Sequence, residues 1–306
     1  VVDPSDKSMA DFRKKTKRGT ANKYGLTRGY SPYPYRTVPT KEQCEEVHRI
    51  LVETHGMVTQ PTNAPPPSLE VAGCGEVPAV LDGLCRTLIS GNTLMAHADK
   101  AIVKLAETYG VLKHGVGAGS IDWNAVWLEP KEKLVDAIRI AGCSDRKAGH
   151  IKAILEMVHK EQEARALAHM MALEVQKAVD DYLSLEHVRA MTADEALTEF
   201  LRFPGIGVKT AACVVLFTLR FPCFAVDTHV HKFCKWLGWV PEKASDIDAF
   251  NHGEHMVPDH LKYALHQLFI RHGQDCFKCR KNTKPGSDGW NEAPDCPLEH
   301  LLDRNK

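Results

Sequence analysis

The sequence predicts an all-α fold. Between residues 146 and 183 the apolar positions Ile151, Ile154, Leu155, Val158, Leu167, Met171, Val175, Val179 and Leu183 recur at helical spacing. Helix-start signals punctuate the chain. Thr40 precedes Glu42, Val47, Ile50 and Leu51, and the capping-box pattern Thr192-Ala-Asp-Glu195 precedes Leu197, Phe200 and Leu201. No run alternates apolar and polar residues with the period of a half-buried strand.

The elements follow in order. Residues 1–40 read as a basic, disordered tail. Arg13, Lys14, Lys15, Lys17, Arg18, Lys23, Arg28 and Arg36 crowd it, and little apolar surface is available to bury. Such an arm is either simply solvated, or contacts phosphates or serves nuclear import. A helix from Thr40 should end near Gly56, and the Pro-rich stretch 59–69 is a linker. Helices are expected over 78–90 and 95–109. A Gly-rich loop at 115–120, a short piece at 122–128 and a helix over 130–141 come next. The region 146–183 should be helical with one break that periodicity does not fix. One helix ends over 198–203, a second runs over 208–219, and a third starts after Asp227.

Composition excludes several classes. With 43% hydrophobic and 25% charged residues the chain is ordinary for a globular protein. No apolar run approaches the ~20 residues that span a bilayer, and no secretory core segment is present. The chain opens on Val1 and so reads as part of a longer product. Zero net charge argues against a strongly basic nucleic-acid binder, although the first 40 residues are basic. Ten cysteines are too scattered for a disulfide scaffold; Cys213, Cys223 and Cys234 lie in apolar surroundings and read as buried thiols.

The chemistry is concentrated in Phe203-Pro-Gly-Ile-Gly-Val-Lys-Thr-Ala211 and Ala225-Val-Asp-Thr-His-Val230. Pro204 to Gly207 is a tight turn in which Gly205 and Gly207 permit positive φ and close approach by another molecule. It opens a helix, whose N-terminal N–H groups suit an anion such as a phosphate diester. Taken alone, the turn is equally a packing corner. Asp227 suits the N-cap of the following helix, where a carboxylate stays ionised. Alone, it reads as no more than a cap. Together with Lys209, a lysine at a partly buried helix start that can act as an amine nucleophile, it suggests imine chemistry at a sugar C1′.

These residues resemble the helix-hairpin-helix–Gly/Pro–Asp DNA glycosylases. The similarity is to the endonuclease III-like branch, whose motif is Leu-Pro-Gly-Val-Gly-x-Lys-Thr-Ala followed by Val-Asp-Thr. It extends over about residues 80–280 and is strongest at 198–240. It implies two helical domains flanking a DNA-binding cleft. One would be a helical-barrel domain at 80–221 that ends in the hairpin. The other would combine 41–79 with 222–306. Lys209 falls at the family's Schiff-base lysine and Asp227 at its essential aspartate. Gly205, Ile206, Gly207 and Thr210 fall at its DNA-binding hairpin. The run Leu88-Ile-Ser-Gly-Asn-Thr93 resembles the loop that fills the gap left by a flipped base, which would put Asn92 there; Asn92 also reads as a helix-terminal residue with local bonds. The loop from Gly142 to Ala148 resembles a strand-wedging loop and puts Cys143 at the wedge, an unusual residue for that task. The stretch from Leu185 to Pro241 is also similar to plant Demeter-type 5-methylcytosine glycosylases.

The implied function is a base-excision-repair glycosylase with apurinic/apyrimidinic lyase activity. Oxidised pyrimidines would be the default substrate of the branch. Glycosylases for 5-methylcytosine or mismatched bases, and a non-catalytic DNA-binding hairpin, are the alternatives. The partner would be double-stranded DNA with a damaged, modified or abasic site, met by a monomer in the nucleus, with the mitochondrion as a second location. The branch often holds a [4Fe–4S] cluster on four cysteines. Here Cys276, Cys279 and Cys296 have the wrong spacing and no fourth, so that cluster is expected to be absent and no cofactor is required. The alternatives are plain thiols or a zinc site on Cys276, Cys279, Cys296 and His300. The pairs His229/His231 and His252/His255 read as surface or DNA-proximal. The stretch 152–190 exceeds what the branch needs and suggests an elongated helical hairpin.

Overall fold

The computed structural model describes residues 21–304 apart from 28, 74, 172–181, 281, 282 and 284. Local signals set most helix limits. Thr40 accepts a bond from Gln43 N, and the Gln43 side chain accepts one from Thr40 N, which starts α1 (Lys41–His55). Its stripe of Cys44, Val47, Ile50 and Leu51 is buried against α11 (Asp259–Asp275).

The centre of the molecule is α2 (Val80–Ser90), buried along nearly its whole length. Two of its buried residues are charged. Asp82 and Arg86 pair at 2.8 Å. The Asp82 carboxylate also accepts from Trp123 Nε1 at 2.9 Å, and Arg86 donates to the carbonyls of Ser68 and Val71. A buried ion pair is tolerated when its remaining polar atoms find partners. Here those partners also pin the end of the Pro-rich linker. Farther back, Gln60 donates to Leu216 O at 2.8 Å.

Around α2 lie α3 (Met95–Tyr109), α4 (Trp123–Leu128) and α5 (Lys131–Ala137), then a 3-10 turn at Arg139–Ala141 and α6 (Ser144–Met171). The expected 130–141 helix is therefore split before Arg139. Ala148, Ile151, Ile154, Leu155 and Val158 of α6 are buried, as its spacing requires. The expected continuation through Val175 and Val179, with the return of the hairpin, lies outside the described residues. The chain then forms α7 (Ala193–Leu201), capped by Thr192 and Glu195, and α8 (Val208–Cys213). The run does not stay α-helical to Leu219. It widens to a π-helix over Val214–Leu219 and ends at Arg220 with φ 69°.

A second group of helices comprises α1, α9 (Thr228–Trp236), α10 (Asp246–Met256) and α11. Buried apolar residues of both groups form one continuous core. No strand occurs among the described residues, only an isolated bridge between Val111 and Ile121. Among them, too, no helix is long and apolar enough to cross a membrane.

One expected boundary moves. Residues 21–40 are not a free tail. Leu26 is buried, Arg36 donates to Trp239 O at 2.9 Å, and Asn251 accepts from Thr27 N. The anchor is His252, placed earlier at the surface but fully buried here. Its Nε2 donates to Val38 O and its Nδ1 pairs with Ser31 Oγ. A composition argument could not register these contacts, because their partners are about 200 residues away in the chain. The expected tail residues Arg13, Lys14, Lys15, Lys17, Arg18 and Arg28 lie outside the described residues.

Candidate active site

The turn between α7 and α8 is built on buried Phe203 and Ile206, with Ile206 N donating to Phe203 O. Its two glycines differ. Gly205 has φ +78°, and a Cβ there would overlap the His150 ring. Only glycine suits both the backbone and the space. Gly207 has φ −94° and ψ 175°, which any residue can adopt, and a Cβ there would meet nothing. The positive φ that both glycines permit is used at Gly205 alone. Gly207 caps α8 without a side chain and leaves the approach to the first N–H groups of the helix open.

Lys209 and Thr210, both half-buried, stand in the first turn of α8. One turn on, Cys213 is fully buried and takes a hydrogen bond from Lys209. Burial pushes the Cys213 thiol up; Lys209 pulls it down and Asp227 pushes it up again. Asp227 is the half-buried N-cap of α9, its Oδ1 accepting from Val230 N at 2.8 Å.

A residue that the sequence reading did not single out ties the two together. His266 on α11 is fully buried, and its Nδ1 donates to Ala225 O at 2.7 Å. Its Nε2 has no partner among the described residues. Burial pushes the ring below the usual histidine range, which favours the neutral form; Asp227 raises it and Lys209 lowers it. Both His266 and Cys213 thus lie within the fields of Lys209 and Asp227. The four groups therefore share one electrostatic neighbourhood. The available signal was a histidine set among the apolar residues of a buried helix. Its target depended on how α11 packs.

Asn92 is exposed at the end of α2 with φ 53°. A second turn places exposed Cys143 at φ 49°. Lys147, almost fully buried, ties both turns together. Its Nζ donates to Ile89 O at 2.7 Å, Thr93 Oγ1 at 2.8 Å and Ala141 O at 2.9 Å. Thr93 itself bonds to Ala141 O. Leu94, Met95 and Ile140 stand exposed on the same pair of turns, with Leu94 at 70%. The ammonium of Lys147 replaces a direct backbone link between two loops far apart in sequence.

The C-terminal cysteines gather, with a different fourth partner from the one expected. His272, Cys276, Cys279 and Cys296 place their ligand atoms within 4.8 Å of one another, which makes them a candidate metal site. His300 is exposed on the 3-10 turn Glu299–Leu301 and is not in the group. Helix geometry accounts for the correction: His272 lies one turn before Cys276 on α11, on the same face. Of the other histidines, His231 bonds to Ala244 O, and the buried Nδ1 of His229 has no partner among the described residues.

Comparison with known proteins identifies the family. The model of the HhH-GPD superfamily of base excision DNA repair proteins matches residues 85–259. The chain belongs to this family of DNA glycosylases. An Arabidopsis thaliana protein named "Putative DNA glycosylase At3g47830" is 30% identical over 292 residues, covering 90% of each chain. Among solved structures, a trapped covalent intermediate of endonuclease III with DNA superposes with a TM-score of 0.59 at 20% identity, covering 87% of this chain and 96% of that one. The 8-oxoguanine glycosylase/lyase of Clostridium acetobutylicum, bound to duplex DNA, gives 0.51 at 18% identity, covering 76% and 70%. These two share the fold.

Proposed function

We propose that the chain is a bifunctional glycosylase and apurinic/apyrimidinic lyase acting on double-stranded DNA. The observation that carries this reading is the convergence of Lys209 and Asp227 on His266 and Cys213, beside the open start of α8. A binding hairpin needs neither the amine nor the carboxylate.

In this reading the N–H groups beside Gly207 hold a backbone phosphate. A damaged or modified nucleotide is rotated out of the duplex, and Asn92, with the apolar side chains around it, occupies the gap. Lys209 Nζ, as the neutral amine, forms a bond to C1′. The bond from C1′ to the base breaks, and the base leaves with the electron pair and takes up a proton. Asp227 stabilises the cationic sugar and moves protons. The sugar ring opens to an imine on Lys209. Loss of a C2′ proton then breaks the C3′–O bond and cuts the strand. No redox group enters this sequence. Oxidised pyrimidines are the first bases to test, in a panel of duplexes each carrying one modified base.

Trapping tests the central step. Incubation with an abasic-site duplex and borohydride is expected to give a covalent adduct, lost in Lys209→Gln. DNA binding without an adduct from the unaltered chain removes the lyase reading. An adduct that survives in Lys209→Gln moves the nucleophile elsewhere.

A further inference from the structure

We infer that His272, Cys276, Cys279 and Cys296 form a mononuclear zinc site that fastens the C-terminal segment to the second helix group. Tetrahedral zinc, with bonds of about 2.3 Å to sulfur and about 2.0 Å to nitrogen, sets its ligand atoms roughly 3.5–3.8 Å apart. Cys279 Sγ and Cys296 Sγ are 3.6 Å apart, His272 Nε2 is 3.3 Å from Cys296 Sγ, and no pair of the four exceeds 4.8 Å. A four-iron cluster binds each thiolate to a different iron and so spreads the sulfurs farther apart than one metal ion does. The arrangement is too tight for that.

The surroundings are those of a built site. His272 Nε2 faces the sulfurs while its Nδ1 lies 2.9 Å from His55 Nε2. A proton on Nδ1, donated to His55, leaves the Nε2 lone pair for the metal and fixes the ring. The Arg304 guanidinium places two nitrogens 3.6 Å from Cys279 Sγ. Three thiolates and one zinc dication carry a net charge of −1, which Arg304 offsets. Arg304 also lies over the rings of Trp236 and Trp290. With Lys232, Lys278 and Arg280 these residues line a basic pocket that reaches Thr228, the residue after Asp227. The metal would therefore hold one wall of a cationic, aromatic pocket beside the active site.

Metal analysis of the purified full chain tests this. One zinc per chain is expected, with neither iron nor acid-labile sulfide. Cobalt substitution should give the visible bands of a tetrahedral thiolate site. Cys279→Ser and His272→Ala should lose the zinc, and His300→Ala should keep it. Cys276→Ser, at the half-buried ligand, is the second variant should Cys279→Ser fail to fold. Iron with sulfide, a chain that takes up no zinc when zinc is supplied, or zinc retained by both cysteine variants would overturn the site.

Discussion

Asp227 has two tasks that substitution can separate. Its carboxylate caps α9 through Val230 N, and it lies within the field of the interior occupied by Lys209 and His266. Asparagine caps a helix about as well as aspartate but carries no charge. Asp227→Asn is therefore expected to keep its stability within about 0.5 kcal/mol while base release slows by about 10²–10⁴-fold. Asp227→Ala should show the same loss of rate and in addition lose about 1 kcal/mol of stability. Denaturant unfolding and single-turnover base release measure the two effects separately. If Asp227→Asn releases base at the unaltered rate, the carboxylate is only a cap. Lys209 and Asp227 were legible in the sequence because each stands in a local motif, a turn that opens a helix and a cap. His266, Lys147 and His272 were not, because each acts across a contact between elements.

The hairpin illustrates how one element can hold two glycines for unlike reasons. Gly205 combines φ +78° with a neighbour, His150, that fills the place of a side chain. Gly205→Ala is expected to destabilise the fold, by roughly 1–3 kcal/mol for the backbone strain alone. Gly207 has an ordinary φ and open space. Gly207→Ala should change stability by about 1 kcal/mol or less, yet weaken DNA binding, because a methyl would stand where a phosphate must approach. Melting curves and DNA titrations on the two variants should therefore differ in opposite ways. A Gly207→Ala chain that binds duplex as the parent does would mean that the open face is not the phosphate site. At this scale the sequence was also most informative. The starts of α1, α7 and α9 are set by Thr40, Thr192 and Asp227, whose side chains act within a few residues. The turn to π geometry after Cys213 was not legible. The apolar residues Val214, Val215, Leu216 and Phe217 are buried all round and show no preferred face.

At the scale of the whole molecule, histidines join parts that sequence alone kept separate. His252 fixes residues 31–38 to α10, and His266 fixes α11 to the segment before Asp227. In each, one ring nitrogen donates to a carbonyl, and in His252 the other can accept from Ser31 Oγ only while the ring is neutral. Burial is the leading cause that holds both rings, and those of His48, His187 and His229, below the usual histidine range. The unfolded chain takes up these protons near pH ~6.5, whereas the folded chain does not until its lower values are reached. Between those limits the unfolded state binds more protons, so stability falls as pH falls. Buried Asp82 and half-buried Glu254 act with the opposite sign. Burial raises their carboxyls, which gain protons in the folded chain first. That opposition runs from their raised folded values down to the carboxylate range, near pH ~4 in the unfolded chain, and offsets part of the histidine effect. The melting temperature is accordingly expected to fall between pH ~6.5 and ~5.5. Hydrogen exchange over the same interval should rise first at residues 21–40 and at the start of α9, the joints that His252 and His266 hold. A melting temperature that stays level or climbs over this interval would show that these rings are not held neutral by the fold.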